Sequence, residues 1–519
     1  MSGLEQTLVV ADGRDSAETS ARGLAAWAAL FAVLALGAAR DASLLWGSPL
    51  AVGVDGYYYV LQVTQITKTG RLFFPTRTPL MLYALAGIAG VSGGPVAAVK
   101  LAGVLLHALL CAGVAALVRR ALRSPWLGVL AATLTAFSGL HLFMVSEFIN
   151  NLGALTALVW SGYFALRRRQ TRSARCAVAA ATLFALAVVT HRSALPLTLA
   201  ALASYLLFRW FAARAERGRF NWYALALAPF AYVVPALLAA QRLVRLPAWL
   251  AEGVSARPRS MFTEWFLADG ILLLLAAAAA LLLLIKRRDS GVDSAGVNLV
   301  GAATAFAALV TFNPFLFSPG GVSSSAGRLR VVAYVQAALL VPGVVWLIRR
   351  SRPALVPYAL AALLPLLLLS AQVREPTGLR EEFLARREGL IRGLKSRAHE
   401  LGAGAVVVAG HGDQFVVTAA TGIAAEQQPP EQNAARPVYW LLDYKEPSEP
   451  LPGAVAISSE GTSGTILLDD RLLRQYLEGD DEPARRRLLG GNPHLAKFYH
   501  LYYSRRAAPR RPAPPSPAP

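Results

Sequence analysis

Apolar runs of similar length, separated by short arginine-rich stretches, fill this chain from about residue 22 to residue 371. About 20 apolar residues in a helix match the hydrocarbon thickness of a bilayer, and a helix satisfies its own backbone polar groups there. The runs at 22–39, 96–118, 126–145, 152–166, 176–190, 194–212, 221–240, 270–285, 295–312, 331–348 and 353–371 predict about 11 transmembrane helices. A further run, 79–92, has 14 residues and carries Gly87 and Gly90. It is short for a span and reads as an interfacial or re-entrant helix. Beyond Gln372 the pattern changes. Leu379, Phe383, Leu390, Ile391 and Leu394 recur at helical spacing among charges, which predicts an amphipathic helix within 376–400. Ala403–Ala409, flanked by glycines, and the runs Val438–Leu442 and Ala454–Ser458 predict strands. The expected fold class is therefore an all-α polytopic membrane domain with a small C-terminal extracytoplasmic α/β domain.

Charge supplies the orientation. Clusters at Arg119–Arg123, Arg167–Arg175, Arg209–Arg219, Lys286–Arg288 and Arg349–Arg352 occupy alternate loops, and basic loops stay cytoplasmic. With 79–92 not crossing, residues 41–95 form one long external loop, the N-terminus is cytoplasmic and the C-terminal domain lies outside. The expected divisions are a cytoplasmic segment 1–21, a transmembrane domain 22–371, an extracytoplasmic α/β domain 372–503 and a disordered Pro-rich tail 504–519. Residues 1–21 lack a basic n-region and a small-residue cleavage site, so 22–39 reads as a retained span.

Composition agrees. The chain is 55% hydrophobic and 16% charged, where a soluble domain carries about a quarter charged residues. The net charge of +20 is dispersed through loops without a basic, aromatic-interleaved stripe, which argues against a nucleic-acid partner. A Leu-, Ala- and Arg-rich composition points to a high-GC bacterium and so to its inner membrane. Cys111 and Cys176 lie in apolar runs and read as small core residues.

The candidate chemistry starts at Asp55, a lone acid in Val54-Asp55-Gly56-Tyr57-Tyr58-Tyr59 at the start of the long loop. Gly70 follows, then Arg77 close before Pro79. In this order of residues the chain resembles the GT-C membrane glycosyltransferases, which include protein O-mannosyltransferases and lipid A aminoarabinose transferases. The resemblance covers about 1–330. Many members carry a second acid directly after the Asp, where this chain has Gly56. The resemblance implies inverting transfer of a sugar from a polyprenyl-phosphate donor to a lipid, glycan or protein acceptor, with Asp55 as general base. It also places Glu147 at the position of a second acidic loop residue, and Lys100, Arg328 and Arg330 where relatives hold lipid phosphate. Arg77 joins them, because guanidinium grips phosphate through paired hydrogen bonds. His191 faces the cavity or anchors at the interface, and Tyr57 and Tyr58 stack on a sugar or sit in an aromatic belt.

Other residues have plainer readings. His107 and His141 lie on apolar runs and read as structural, and His411-Gly412-Asp413 reads as a turn after a strand. No metal motif stands out, although Asp55, Glu147 and His191 are together a possible divalent-cation set, since hard cations accept such ligands. The competing functional readings are a transporter or lipid flippase and a non-catalytic protein of the same fold. A transporter is expected to show paired halves and matching broken helices, and the sequence shows neither.

Overall fold

The structure is a computed structural model that describes residues 3–216, 271–286, 294–311, 332–361, 363, 379–402, 404–428, 436–445, 451–460, 463–479, 481–492 and 495–496. The expected span 221–240 and the expected tail 504–519 lie outside these residues. The chain forms two compact units: Met1–Gly47 with Phe74–Pro376, and Ser48–Phe73 with Thr377–Pro519.

The first unit is helical. Its elements are α1 (Gly3–Trp46), α3 (Leu80–Ser92), α4 (Pro95–Leu122), α5 (Pro125–Phe137), α6 (His141–Ser146), α7 (Ile149–Thr171), α8 (Ala174–Thr190), α9 (Ala194–Glu216), α10 (Ile271–Lys286), α11 (Ala295–Phe306) and α12 (Ala333–Ser351), with α2 belonging to the second unit. Gly23–Trp46, Pro95–Leu122 and Ala194–Arg214 are long and apolar enough to cross a membrane. Helix α4 is the most enclosed of these three and packs against α1, α3, α5 and α7. Small residues allow the close approach, since lipid gives little drive for helices to associate and packing must supply it. At Gly113 an added Cβ would stand 2.9 Å from Nε1 of Trp160, whose indole donates to the Leu109 carbonyl at 3.0 Å. Arginines near helix ends lie over indoles: Arg119 on Trp27 at 4.5 Å, Arg214 on Trp210 at 4.3 Å and Arg350 on Trp346 at 4.6 Å. Such cation–π pairs suit a membrane–water boundary, where the ring stays apolar and the charge stays wet.

Two elements differ from the sequence expectation. The first apolar helix continues past residue 39 to Trp46, which puts Asp41 inside a helix and buried rather than at the start of a loop. The expected span 126–145 is two helices, α5 and α6. Ser138 is extended (φ −61°, ψ 141°), and its hydroxyl accepts the Leu140 N–H at 3.1 Å, which ends α5.

The second unit is an α/β sandwich. Its elements are α2 (Gly56–Thr69), α13 (Glu381–Arg397), β1 (Val406–Val408), α14 (Asp413–Thr421), β2 (Ala424–Glu426), β3 (Val438–Lys445), β4 (Val455–Glu460), β5 (Ser463–Asp469), α15 (Asp470–Glu478) and α16 (Glu482–Gly491). The five strands run in the order β2-β1-β3-β5-β4. β1 is parallel to both neighbours, whereas β5 is antiparallel to β3 and β4. Val406, Val407 and Val408 are all buried, as a parallel strand covered on both faces requires. Val408, Trp440, Leu442, Ile466 and Leu468 form a core with Leu473 and Leu477 of α15 and Leu488 of α16. Asn492 pairs with β3: its side chain accepts the Asp443 N–H at 2.7 Å and donates to the Asp443 carbonyl at 2.8 Å.

Candidate functional site

Asp55 belongs to the second unit, so its neighbours come from the C-terminal domain. It is the N-cap of α2, but its carboxylate makes no capping hydrogen bond, leaving it directed elsewhere. Nε2 of His411 lies 3.0 Å from Asp55 Oδ1. The approach is a close polar contact that falls short of an aligned hydrogen bond. The His411 side chain is 61% exposed and that of Asp55 26%, with Asp55 Oδ1 itself buried. Nδ1 of His411 is 2.7 Å from the Gln427 side-chain nitrogen. An amide N–H donating there leaves the ring proton on Nε2, the nitrogen nearest the carboxylate.

The local sequence explains why these groups meet. His411 and Gly412 turn the chain out of the carboxyl end of β1 and into α14, with Gly412 at φ +92°. The following strand β2 lies on one side of β1 and β3 on the other, and ligand sites in α/β sheets form outside strand carboxyl ends where the order reverses in this way. Aromatic packing joins α2 to α14: Tyr58 and Phe415 have ring centroids 5.3 Å apart, and His411 meets the same Phe415 edge-on at 6.1 Å.

Two adjacent arginines on α13 hold the frame. Arg387 is buried and donates to the Gly53 carbonyl at 2.5 Å, with Ala51 and Val54 carbonyls at 3.4 and 3.5 Å. The guanidinium also lies over the Phe383 and Tyr57 rings at 4.4 and 5.6 Å. It thus holds the segment Ala51–Val54 before Asp55 through charge-assisted bonds to its carbonyls. Arg386 bridges Asp443 of β3 at 2.5 Å and Asp413 of α14 at 3.4 Å. Burial alone would lower its pKa, but the two carboxylates outweigh burial and raise it. Burial raises the pKa of the Tyr57 phenol, partly opposed by the Arg387 cation and by a hydrogen bond with Ala51.

Gly56, which stands where relatives carry an acid, has little room. A Cβ there would lie 3.2 Å from the Ala51 carbonyl carbon and 3.3 Å from its Cβ. An acidic side chain would push on the same loop that Arg387 clamps.

The other expected site residues lie in the first unit or outside the described residues. Arg77 is exposed in the segment before α3. Lys100 is buried on α4 with Nζ 6.0 Å from the Trp46 ring centroid. Glu147 is buried at the C-cap of α6, where its N–H bonds to the Phe143 carbonyl at 2.8 Å. His191 is half-buried and pairs through Nδ1 with the Ser193 hydroxyl at 2.6 Å. Arg328 and Arg330 lie outside the described residues. What the sequence reading left aside is His411, taken there as part of a turn. It does sit in a turn, and that turn delivers it to Asp55; the available signal was a histidine directly after a buried strand.

Among known proteins, no curated protein matches the chain. Residues 76–238 match the family model described as dolichyl-phosphate-mannose-protein mannosyltransferase. The matched stretch contains Arg77, Lys100, Glu147 and His191 and begins after Asp55. Carried by the long apolar helices of the first unit, this match supports a membrane glycosyltransferase of the GT-C superfamily.

Proposed function

We propose that this glycosyltransferase takes a sugar from a polyprenyl-phosphate donor at the outer face of the inner membrane, with Asp55 as general base. The acceptor is a hydroxyl on a lipid, glycan or protein. Asp55 takes the hydroxyl proton as the oxygen attacks the anomeric carbon. The bond from that carbon to the phosphate oxygen breaks, its electron pair leaves with the lipid phosphate, and the sugar inverts. Arg77, Lys100, Arg328 and Arg330 are the cations assigned to the departing phosphate, with Glu147 and His191 as further polar groups on the substrate and Tyr57 and Tyr58 beside the sugar. His411 is a positioning residue for Asp55.

The observation that carries this reading is the Asp55 carboxylate, 3.0 Å from the partly exposed His411 ring and following a backbone segment that Arg387 holds through its carbonyls. The test is transfer from a radiolabelled polyprenyl-phosphate sugar, mannose first, by purified full-length protein. A positioned general base contributes about 10²–10⁴-fold, so Asp55→Asn should lower kcat by that factor with donor binding retained. Full transfer by the variant would remove the base from the mechanism.

A further inference from the structure

Buried in the first unit is a second constellation that the transfer reaction does not use. Asp41 of α1, His107 of α4 and His141 at the start of α6 bring their ligand atoms within 4.8 Å of one another, and all three are buried. Nδ1 of His107 is 2.6 Å from Asp41 Oδ2, and Nε2 of His141 is 2.8 Å from Asp41 Oδ1. The two imidazole rings stack with centroids 4.5 Å apart and planes 5° from parallel. Each ring turns its other nitrogen to a backbone carbonyl: His107 Nε2 to Thr135 at 3.3 Å, with Cys111 Sγ 3.6 Å from the same nitrogen, and His141 Nδ1 to Ser138.

Counting protons shows what is missing from a purely protein account. A carbonyl only accepts, so Nδ1 of His141 carries hydrogen, and Nε2 of His107 does too when it donates to Thr135 rather than accepting the Cys111 S–H. In the neutral rings this leaves both inner nitrogens as lone pairs aimed at a carboxylate, which is itself acceptor-only when ionised. In that tautomeric arrangement three acceptors converge on one buried point, and added protons or a cation reconcile them. Two extra protons would do so by making two stacked imidazolium rings in an apolar helical unit. One divalent ion would do so without like-charged faces in contact. The arrangement around the rings is also that of metal-bound histidine, whose second nitrogen donates to a carbonyl or carboxylate and thereby fixes the tautomer.

We infer that Asp41, His107 and His141 form a binding site for one divalent transition-metal ion, zinc by first choice, that ties α1, α4 and α6 together. Two imidazoles and a carboxylate suit zinc and its neighbours better than calcium or magnesium. Tetrahedral metal–ligand bonds of about 2.0–2.2 Å place ligand atoms about 3.4 Å apart, so the two histidine–carboxylate contacts would open by under about 1 Å to admit the ion. The second carboxylate oxygen of Asp41 supplies the fourth contact. The site is closed to solvent, which makes it structural.

The test uses the full-length protein in detergent, stripped with chelator and titrated with Zn²⁺ or Co²⁺ alone. Expected are one tightly held ion per chain by elemental analysis, visible d–d bands of low-symmetry Co²⁺, and a Tm that falls on stripping and recovers with Zn²⁺. His141→Gln should weaken Zn²⁺ binding by about a hundredfold or more. Stripped wild-type protein that is folded, binds neither ion and keeps its Tm would overturn the site and assign the triad to protons. Undiminished Zn²⁺ affinity in a folded His141→Gln variant would overturn it equally. If His141→Gln does not fold, the wild-type measurements alone decide.

Discussion

Asp55 stands out in the sequence because an isolated acid among tyrosines at the edge of an apolar run has little structural reason to be there. Gly56 beside it is less transparent: on residue type alone it looks like a lost carboxylate. The space around it gives another account, since the Ala51 backbone occupies the position that a side chain would fill. Gly56→Glu should therefore fail to build a two-carboxylate site. Overpacking of this kind costs about 1–3 kcal/mol, so the variant is expected to show a lower Tm and reduced transfer. Higher transfer from Gly56→Glu would show that the loop accepts the acid and that the second carboxylate is a genuine loss in this chain.

At the scale of elements, α13 is the part that converts a loop into a site. Its apolar spacing is plain in the sequence, with Leu390 and Leu394 buried as an amphipathic helix predicts. Its two functional side chains are not, because nothing in the pattern separates Arg386 and Arg387 from the other arginines around them. Their importance comes from partners distant in sequence: Arg387 reaches Gly53 and Arg386 reaches Asp443. His411 reads in the sequence only as part of a turn for the same reason. Arg387→Met keeps the stem that packs on Phe383 and removes the donors to the Ala51, Gly53 and Val54 carbonyls. Hydrogen bonds from a charged group contribute roughly 1.5–3 kcal/mol, so the domain should lose stability of that order. The Asp55 loop should also exchange amide hydrogens faster, and kcat should fall more than donor affinity. A variant with wild-type loop protection and kcat would mean that the turn holds itself.

For the molecule as a whole, long periodic features were legible and contacts between distant segments were not. The strand expected at Val438–Leu442 starts where β3 starts, and the one expected at Ala454–Ser458 starts one residue before β4, whereas the sheet order and the grouping of Ser48–Phe73 with the C-terminal domain depend on tertiary packing. Asp41, His107 and His141 lie on three helices with no common spacing, so only their burial together reveals them. The reading of function rests on orientation, because a lipid-linked donor presented outside the cell can meet Asp55 only if α2 is outside too. The arginine clusters predict that it is, with the α7–α8 connection inside. Lys68 on α2 and Arg168 on α7 are both exposed, and the two native cysteines are buried, so single cysteines introduced at these positions report sidedness cleanly. In intact cells a membrane-impermeant maleimide should label Lys68→Cys, and Arg168→Cys should react only after permeabilisation. The reverse pattern would put the carboxylate in the cytosol, away from the donor, and the proposed reaction would have no substrate to act on.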